Sequence, residues 1–292
     1  MIKVYDAHIY YDDLKTNFKN LKKLNEDKKF NYIISPQCTV ESEPNKSGLM
    51  YHIQPYLLSN KFLYYFAMFI SKSFYQKNKL RFFWKFFVGF KNYEKIIIPN
   101  NKDLLKKIID YDFIKSWLWI NPKEKDSIKD FNIFYDNPKV AGIKFHNYWH
   151  DLEPSDLYPF LEKNTYNKPV YIILKYQKIS HILEMIIKFN KTNFVFGYGC
   201  FPHYRQIWKR INKFENVYID VSSKHLNTKL IKEIFKFFNY KKIIFGSDYP
   251  YNFQKNNKFS YDLFINRFKL DKLTNEEKKL FYYNNLIKIL DE

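Results

Sequence analysis

Glycine is scarce in this chain, which has only 6 among its 292 residues. Phosphate-cradling G-x-x-x-x-G-K-[ST] loops and dinucleotide-binding G-x-G-x-x-G loops need glycines where the backbone approaches the phosphates closely. Neither pattern occurs, and the G-x-S-x-G turn that carries the serine of many hydrolases is also missing. The sequence therefore excludes these nucleotide-binding loops and this type of serine hydrolase.

Cysteine is also rare, with Cys38 and Cys200 as the only two. They form no C-x-x-C pair and no disulfide framework, and this usage fits a reducing compartment. The first residues pass directly into a strand-like segment without a signal pattern, and the apolar stretch at 62–71 is too short to cross a bilayer. We expect a cytoplasmic protein without a membrane span.

Arginine accounts for only four of the 49 basic residues, although the formal net charge is +19. A strongly basic chain usually suggests a nucleic-acid partner. Lysine, asparagine, isoleucine, phenylalanine and tyrosine all have AT-rich codons, so base composition accounts for the lysine excess. Arginine is also the residue that binds phosphate in a bidentate manner, and it is nearly missing. We therefore expect no nucleic-acid partner.

Eight short runs rich in β-branched and aromatic residues alternate with helical patterns along the chain. Most of these runs are continuously apolar, as in parallel strands that are buried on both faces. This alternation over about 292 residues predicts a single (β/α)8 barrel domain spanning residues 1–292. The predicted strands are residues 3–10, 31–36, 116–121, 140–146, 169–174, 193–198, 216–222 and 242–248.

The segment 40–95 interrupts this rhythm because it contains no clear strand. It follows the second strand, so the fold predicts a helical insertion at the carboxyl-terminal face of the barrel, where active sites of such barrels lie. A helical cap on the barrel is one interpretation of its aromatic residues. A homo-oligomer interface through residues 55–90 and contact with a membrane surface are the alternatives.

Polar side chains stand at the carboxyl ends of the first, fourth and last predicted strands. Strict alternation in the first strand puts Asp6, His8 and Tyr10 on one face, pointing into the barrel. The fourth strand ends in G-I-K-F-H at 142–146, and the last ends near Asp248. Closure of the barrel sets the first strand beside the eighth, so His8 and Asp248 are expected to be neighbours.

Four of these segments resemble motifs of the amidohydrolase-related family of metal-dependent hydrolases. D-A-H-I-Y at 6–10 resembles D-x-H-x-H, and G-I-K-F-H at 142–146 resembles G-[IV]-K-[LF]-H. N-V-Y-I-D-V-S at 216–222 resembles N-V-Y-x-D-x-S, and F-G-S-D-Y-P at 245–250 resembles F-G-S-D-x-P. The resemblance covers nearly the whole chain and implies a barrel whose mouth holds a divalent metal such as zinc, which activates water.

The chain departs from the family at most of the implied metal ligands. His8 and Asp248 match two of five positions, whereas Tyr10, Ile173 and Tyr198 stand where the family has histidines. Catalytic zinc sites use three protein ligands as a rule, and isoleucine cannot ligate a metal. A carboxylated Lys144 and the histidines after strand ends are possible replacement ligands; simple packing or an internal ion pair are the alternatives. These histidines are His146, His150 and His203.

Two functions follow from this pattern. The first is a hydrolase or lyase acting on a small anionic molecule at the barrel mouth, with His8 and Asp248 as catalytic residues and as the metal ligands if a metal binds. The second is an inactive barrel that binds a ligand or another protein. In either case the residues predicted to contact the small molecule are Asp6, Tyr10, Lys144, His146 and Tyr198.

Overall fold

Eight parallel strands form one sheet in which each strand pairs with the next along the chain. The computed structural model describes residues 3–11, 18–25, 30–36, 60, 62–63, 99–175, 177–223, 226–250, 254–255, 258–259, 266, 268, 270 and 273–290. The strands are β1 (Val4–Tyr10), β2 (Phe30–Ser35), β3 (Ile114–Trp119), β4 (Val140–His146), β5 (Val170–Ile173), β6 (Phe194–Phe196), β7 (Val217–Asp220) and β8 (Ile243–Ile244). A short hairpin, β9 (Gln254–Lys255) and β10 (Lys258–Phe259), lies outside this sheet.

Backbone hydrogen bonds join β1 to the segment that begins at the end of β8. The amide of Ala7 donates to the carbonyl of Phe245 at 3.0 Å, and the amide of Asp248 donates to the carbonyl of His8 at 2.7 Å. The amide of Tyr10 donates to the carbonyl of Tyr249 at 2.8 Å. The first and last strands therefore meet, and the predicted (β/α)8 barrel is confirmed.

Helices connect successive strands on the outside of the barrel, and the last two helices follow the eighth strand. They are α1 (Phe18–Asn25), α2 (Asn101–Lys107), α3 (Lys125–Phe134), α4 (Asn147–His150), α5 (Tyr158–Glu162), α6 (Ile179–Lys188), α7 (Tyr204–Ile211), α8 (Thr228–Phe238), α9 (Asn275–Lys279) and α10 (Asn285–Leu290). Turns of 3-10 helix cover Pro154–Leu157, Gly197–Cys200 and Tyr240–Lys242, and a π-helical turn (Leu280–Asn284) joins α9 to α10.

Side-chain caps explain where several of these helices begin. The Asn100 side chain accepts a hydrogen bond from an amide in the first turn of α2, and Asn227 does the same for α8. Thr274 and Glu277 form a reciprocal capping box at the start of α9. Each cap satisfies an amide that the helix itself leaves without a partner.

Apolar side chains form two buried layers, one on each side of the sheet. The outer cluster lies between the strands and the helices, and it includes Ile143, Phe145, Ile182 and Trp208. The inner cluster fills the barrel and takes at least one residue from each strand. These residues are Tyr5, Ala7, Ile33, Trp117, Ala141, Tyr171, Ile173, Val195, Tyr218 and Ile244.

Helix α10 closes the amino-terminal end of the barrel. Its residues Leu286 and Ile289 join the inner cluster, and Tyr283 just before the helix stacks on Tyr5 at the start of β1, with ring centroids 6.0 Å apart. The inner cluster therefore seals one end of the barrel, which leaves the carboxyl-terminal end for polar side chains.

The expectation that Asp6 shares a face with His8 and Tyr10 is wrong. The pairing of β1 with β2 shifts register between Asp6 and Ile9, so strict alternation is interrupted there. The Asp6 carboxylate accepts hydrogen bonds from the backbone amides of His8 and Ser247, at 3.1 and 2.9 Å. Asp6 therefore links β1 to the segment after β8.

The predicted insertion at 40–95, with its proposed interface at 55–90, lies outside the described residues apart from positions 60, 62 and 63. Its helical structure, its role and the extent of the single domain stay predictions. In the described part of the chain, no helix has the length and apolarity needed to cross a membrane.

Candidate functional site

His8 lies at the centre of a polar cluster at the carboxyl-terminal end of the barrel, and its side chain is fully buried. Its Nδ1 atom lies 3.1 Å from Asp220 Oδ2, 2.7 Å from Ser222 Oγ and 2.8 Å from the Tyr171 hydroxyl. On the opposite side of the ring, Nε2 lies 3.4 Å from Lys144 Nζ. The imidazole therefore bridges a carboxylate network on one side and an ammonium group on the other.

Asp220 is the last residue of β7, and its carboxylate accepts hydrogen bonds from the hydroxyl groups of Tyr171 and Ser222. Tyr171 donates to Asp220 Oδ2, and Ser222 donates to the same oxygen at 2.5 Å and through its backbone amide to Oδ1 at 2.9 Å. Burial alone raises the pKa of Asp220, but the hydrogen bond and charge interaction with His8 and the bonds from Ser222 and Tyr171 hold it below its usual value. Asp220 is therefore a carboxylate at neutral pH.

His8 is neutral at the same pH. Burial, and then the positive charge of Lys144, lower its pKa to about 4, and the hydrogen bond to Asp220 only partly opposes this. Asp248 Oδ1 lies 3.9 Å from Nε2, which is an ion-pair distance only for a charged imidazole. The contact between His8 and Asp248 is therefore that of a neutral ring beside a carboxyl group.

Lys144 is also fully buried, although it carries a long charged side chain. Its Nζ atom donates to Ser35 Oγ at 2.7 Å and lies 4.0 Å from the ring centre of Tyr10 and 5.0 Å from that of Trp119. Aromatic faces at such distances attract a cation and partly replace its water shell. The aromatic content of the chain is thus used here to hold a positive charge inside the barrel.

Tyr198 and Asp248 form the outer edge of the cluster. The Tyr198 hydroxyl donates to Asp248 Oδ1 at 2.9 Å, and Tyr198 remains partly exposed. Both residues have left-handed backbone conformations, with φ of 55° and 57°. Such a conformation is uncommon for residues other than glycine, especially for a bulky one, and it is found disproportionately at functional sites.

His146 lies beside this cluster, within a group of stacked rings. Its ring centroid is 4.4 Å from that of Trp149 and 5.7 Å from that of Trp119, and its Nδ1 atom accepts a hydrogen bond from the Trp149 amide. His150 stacks on Trp119 at 5.7 Å, and the His203 ring contacts the carbonyl of Lys175 at 3.0 Å. The three histidines thus have packing contacts in addition to any role toward a ligand.

The structure brings together His8, Tyr10, Lys144, Tyr198 and Asp248 from the predicted set, with His146 adjoining them. Their roles toward a ligand stay predictions. Sequence reasoning missed five residues that complete the cluster. They are Ser35, Trp119, Tyr171, Asp220 and Ser222.

A signal for two of the missed residues was present in the sequence. Asp220 and Ser222 alternate with the apolar Ile219 and Val221 at the end of a strand, which points both polar side chains into the barrel. Tyr171 gave no such signal, because a tyrosine in an apolar strand reads as a core residue.

The residues present do not fit the divalent metal that the family implies. In the part of the chain that the structure describes, no group of three or more histidine, cysteine, aspartate or glutamate side chains converges on one point. Ile173 belongs to the apolar inner cluster, the Tyr198 hydroxyl bonds Asp248, and Lys144 faces the Nε2 atom of His8. One imidazole and one carboxylate leave most of a coordination shell unfilled.

Gly246 allows Asp220 and His8 to approach the end of β8. A Cβ atom at this position stands 2.4 Å from Asp220 Oδ1 and 2.8 Å from His8 Cβ, well inside contact distance. We expect Gly246→Ala to lower the free energy of unfolding by roughly 2–3 kcal/mol, because neither neighbour can move without breaking the network. Urea denaturation measures this change; an unchanged midpoint contradicts the packing described here.

Comparison with known proteins agrees with this architecture. The family model described as amidohydrolase matches residues 101–291. Comparison with curated proteins gives no match. Among solved structures, amidohydrolase 2 from Bifidobacterium longum subsp. infantis has a TM-score of 0.54 at 13% identity, over 100% of this chain and 99% of that one.

Two further solved structures carry a metal. Dihydroxybenzoic acid decarboxylase from Polaromonas sp. JS666, with bound manganese and 2-nitroresorcinol, has a TM-score of 0.58 at 10% identity over 100% of this chain and 97% of that one. An amidohydrolase from Burkholderia multivorans with bound zinc has a TM-score of 0.56 at 10% identity over 99% of both chains. These identities support the shared fold alone. Since the family model matches more than half of the sequence, the chain belongs to the amidohydrolase family.

Proposed function

We propose that this amidohydrolase-family barrel binds a small anionic molecule at its carboxyl-terminal mouth and acts on it as a hydrolase-like protein. The observation that carries the proposal is the convergence of a buried ammonium group, a neutral imidazole and a tyrosine–carboxylate pair at the carboxyl-terminal end of the barrel. Active sites of such barrels lie at this end, on residues from several strands.

The charge pattern supports an anionic ligand. The Asp220 carboxylate is stabilised by hydrogen bonds with His8, Tyr171 and Ser222, which hold it within the network. Lys144 then contributes a positive charge in surroundings where rings and burial keep water away. The net charge of +19 adds a long-range attraction for anions.

The chemistry of the cluster supports turnover as well as binding. His8 is neutral, and its imidazole, oriented by the Asp220 carboxylate on one side, contacts the Lys144 ammonium group on the other, so polar groups of different character lie side by side. Tyr198 adds a hydroxyl group at the partly exposed edge of the cluster. The solved 2,6-dihydroxybenzoate decarboxylase, which has a similar fold, is complexed with 2,6-dihydroxybenzoate, and this analogy favours a small anionic ligand for this chain.

Hydrogen–deuterium exchange with sodium oxalate and sodium phosphate as probes tests the location of binding. We expect protection of residues 146–152, 197–203 and 246–250, which follow β4, β6 and β8. Residues 112–113 line a cleft at the amino-terminal end of the barrel and serve as the internal control, where no change is expected. Protection confined to that end, or no protection by either anion, contradicts the proposal.

A second function, an inactive barrel that serves as a binding module, rests on the replaced ligands at Tyr10, Ile173 and Tyr198. Release of 4-nitrophenol from 4-nitrophenyl acetate distinguishes the two. Turnover that disappears in His8→Gln supports the hydrolase-like activity, whereas oxalate protection without turnover supports the binding module.

A further inference from the structure

The positive charge in this site belongs to the chain itself. Lys144 extends from β4 into the barrel interior, where Ser35 and His8 accept from its ammonium group, at 2.7 and 3.4 Å. The Tyr10 ring covers one side at 4.0 Å. Hydrogen-bond acceptors and an aromatic face fix this ammonium group in position, unlike that of a lysine on a surface.

The protons of the network can be assigned one by one. The Tyr171 and Ser222 hydroxyls each have a single proton, and both donate it to Asp220 Oδ2. Their oxygens, like the carboxylate itself, therefore present only lone pairs to His8 Nδ1. The Nδ1 atom must carry the proton of the neutral imidazole, and Nε2 keeps the lone pair that faces Lys144.

With Nδ1 protonated, Nε2 is the His8 nitrogen that could bind a metal, and it faces the ammonium group of Lys144. A metal on Nε2 competes with Lys144 for the same lone pair and brings two positive charges together within a few ångströms. The second residue at a family ligand position, Asp248, already accepts from Tyr198. Ile173 presents only methyl and methylene groups where a further ligand is needed.

We propose that the ammonium group of Lys144 replaces the divalent cation of the family as the positive centre of the site, so that the site holds its anionic ligand without a metal. The inference rests on the proposed function, namely that an anion binds at this mouth. Asp220 acts as a positioning residue, because it fixes the tautomer of His8 that accepts from Lys144.

The test compares oxalate binding by calorimetry in wild type, Lys144→Met and Lys175→Met, each after dialysis against a chelator and again with zinc or manganese added. Lys175 is a buried control lysine that pairs with Asp151 and Glu153. We expect wild type and Lys175→Met to bind oxalate equally with and without metal. Lys144→Met is expected to lose about tenfold or more in affinity, the order expected for removing a unit charge a few ångströms from the ligand.

Nitrogen NMR of the wild-type protein with ring-labelled histidine tests the same inference without any substitution, so it does not depend on whether a variant folds. We expect a protonated Nδ1 and an unprotonated Nε2 for His8, with both resonances unchanged when zinc is added. Oxalate binding that requires metal, an equimolar zinc shift of Nε2, or full affinity in Lys144→Met overturns the inference and leaves the anion site intact. Absence of oxalate and phosphate binding under every condition instead contradicts the proposed function itself.

Discussion

Lowering the pH from about 6.5 to 4 is expected to unfold this protein, because four buried histidines must remain neutral for the barrel to stay folded. Burial lowers the pKa of His8 and His203 to about 4 and that of His150 to about 3, and it lowers the pKa of His146 well below its usual value. The unfolded chain takes up these protons near the ordinary histidine pKa of about 6.5.

The lowered pKa values of these histidines determine whether stability rises or falls with pH. The unfolded state binds more protons than the folded state throughout this window, so stability is complete above about pH 6.5 and is lost as pH falls. Each buried histidine contributes up to roughly 1.4 kcal/mol per pH unit. Four of them acting together approach the whole stability of an ordinary domain within about two pH units.

Urea unfolding at stepped pH measures this dependence. His150→Phe keeps a ring stacked on Trp119 but removes one titrating group, so we expect the slope to fall by roughly 1.4 kcal/mol per pH unit. His181→Phe on α6 is the matched substitution at a histidine whose side chain remains partly exposed. Stability that is constant between pH 7 and pH 4 rules out this explanation.

Restoring the two histidines that the family resemblance implies at the ends of β5 and β6 is expected to create a zinc site. The double variant Ile173→His with Tyr198→His adds two imidazoles to His8 and Asp248, which supplies three nitrogen ligands and one carboxylate. Tyr198→His also frees Asp248 from its present hydroxyl donor. We expect zinc binding to be unmeasurable in wild type and to have a dissociation constant in the micromolar range or below in the double variant. A micromolar constant corresponds to a binding free energy of roughly 8 kcal/mol.

Metal content after dialysis and competition with a chromophoric chelator measure this gain. The single variants Ile173→His and Tyr198→His are the controls, and each is expected to retain much less zinc because one ligand is still missing. Adding Lys144→Met to the double variant is expected to tighten zinc further, since the competing ammonium group is removed from Nε2 of His8. Wild type that already holds zinc as tightly as the double variant contradicts the ligand count.

The barrel could be predicted from the sequence because each strand has a local hydrophobic pattern, and this pattern occurs eight times along the chain. Largely apolar runs such as 140–146 and 216–222 follow from burial in the sheet; the first coincides with β4 and the second contains β7. The last paired residue of β3 is Trp119, two residues before the expected end, although the Ile120 amide still donates to the carbonyl of Lys144 at 2.9 Å and the apolar pattern continues through Ile120. Hydrophobicity reports burial, and it does not report where hydrogen-bonded pairing stops.

The site was less predictable because its contacts join residues far apart in the chain. Asp6 was misjudged since a register shift in β1 leaves no mark on the hydrophobic pattern. The contact between Tyr171 and Asp220 spans 49 residues, and only closure of the strands brings it about. By contrast, the partners Tyr198 and Asp248 were found because the family motifs mark the positions that face the barrel mouth.

The hydrogen bond between Tyr198 and Asp248 affects how a barrel like this one could evolve from, or into, a barrel that binds a metal. A single exchange of Tyr198 for histidine removes the donor that satisfies Asp248 but supplies only one of the ligands that a metal needs. A single exchange at Ile173 inserts a polar ring into the apolar inner cluster without completing a site. A route that begins with a single exchange at Tyr198 or at Ile173 therefore passes through a protein with a poorer site than either end, so descent from one kind of barrel to the other is hard to reverse along it.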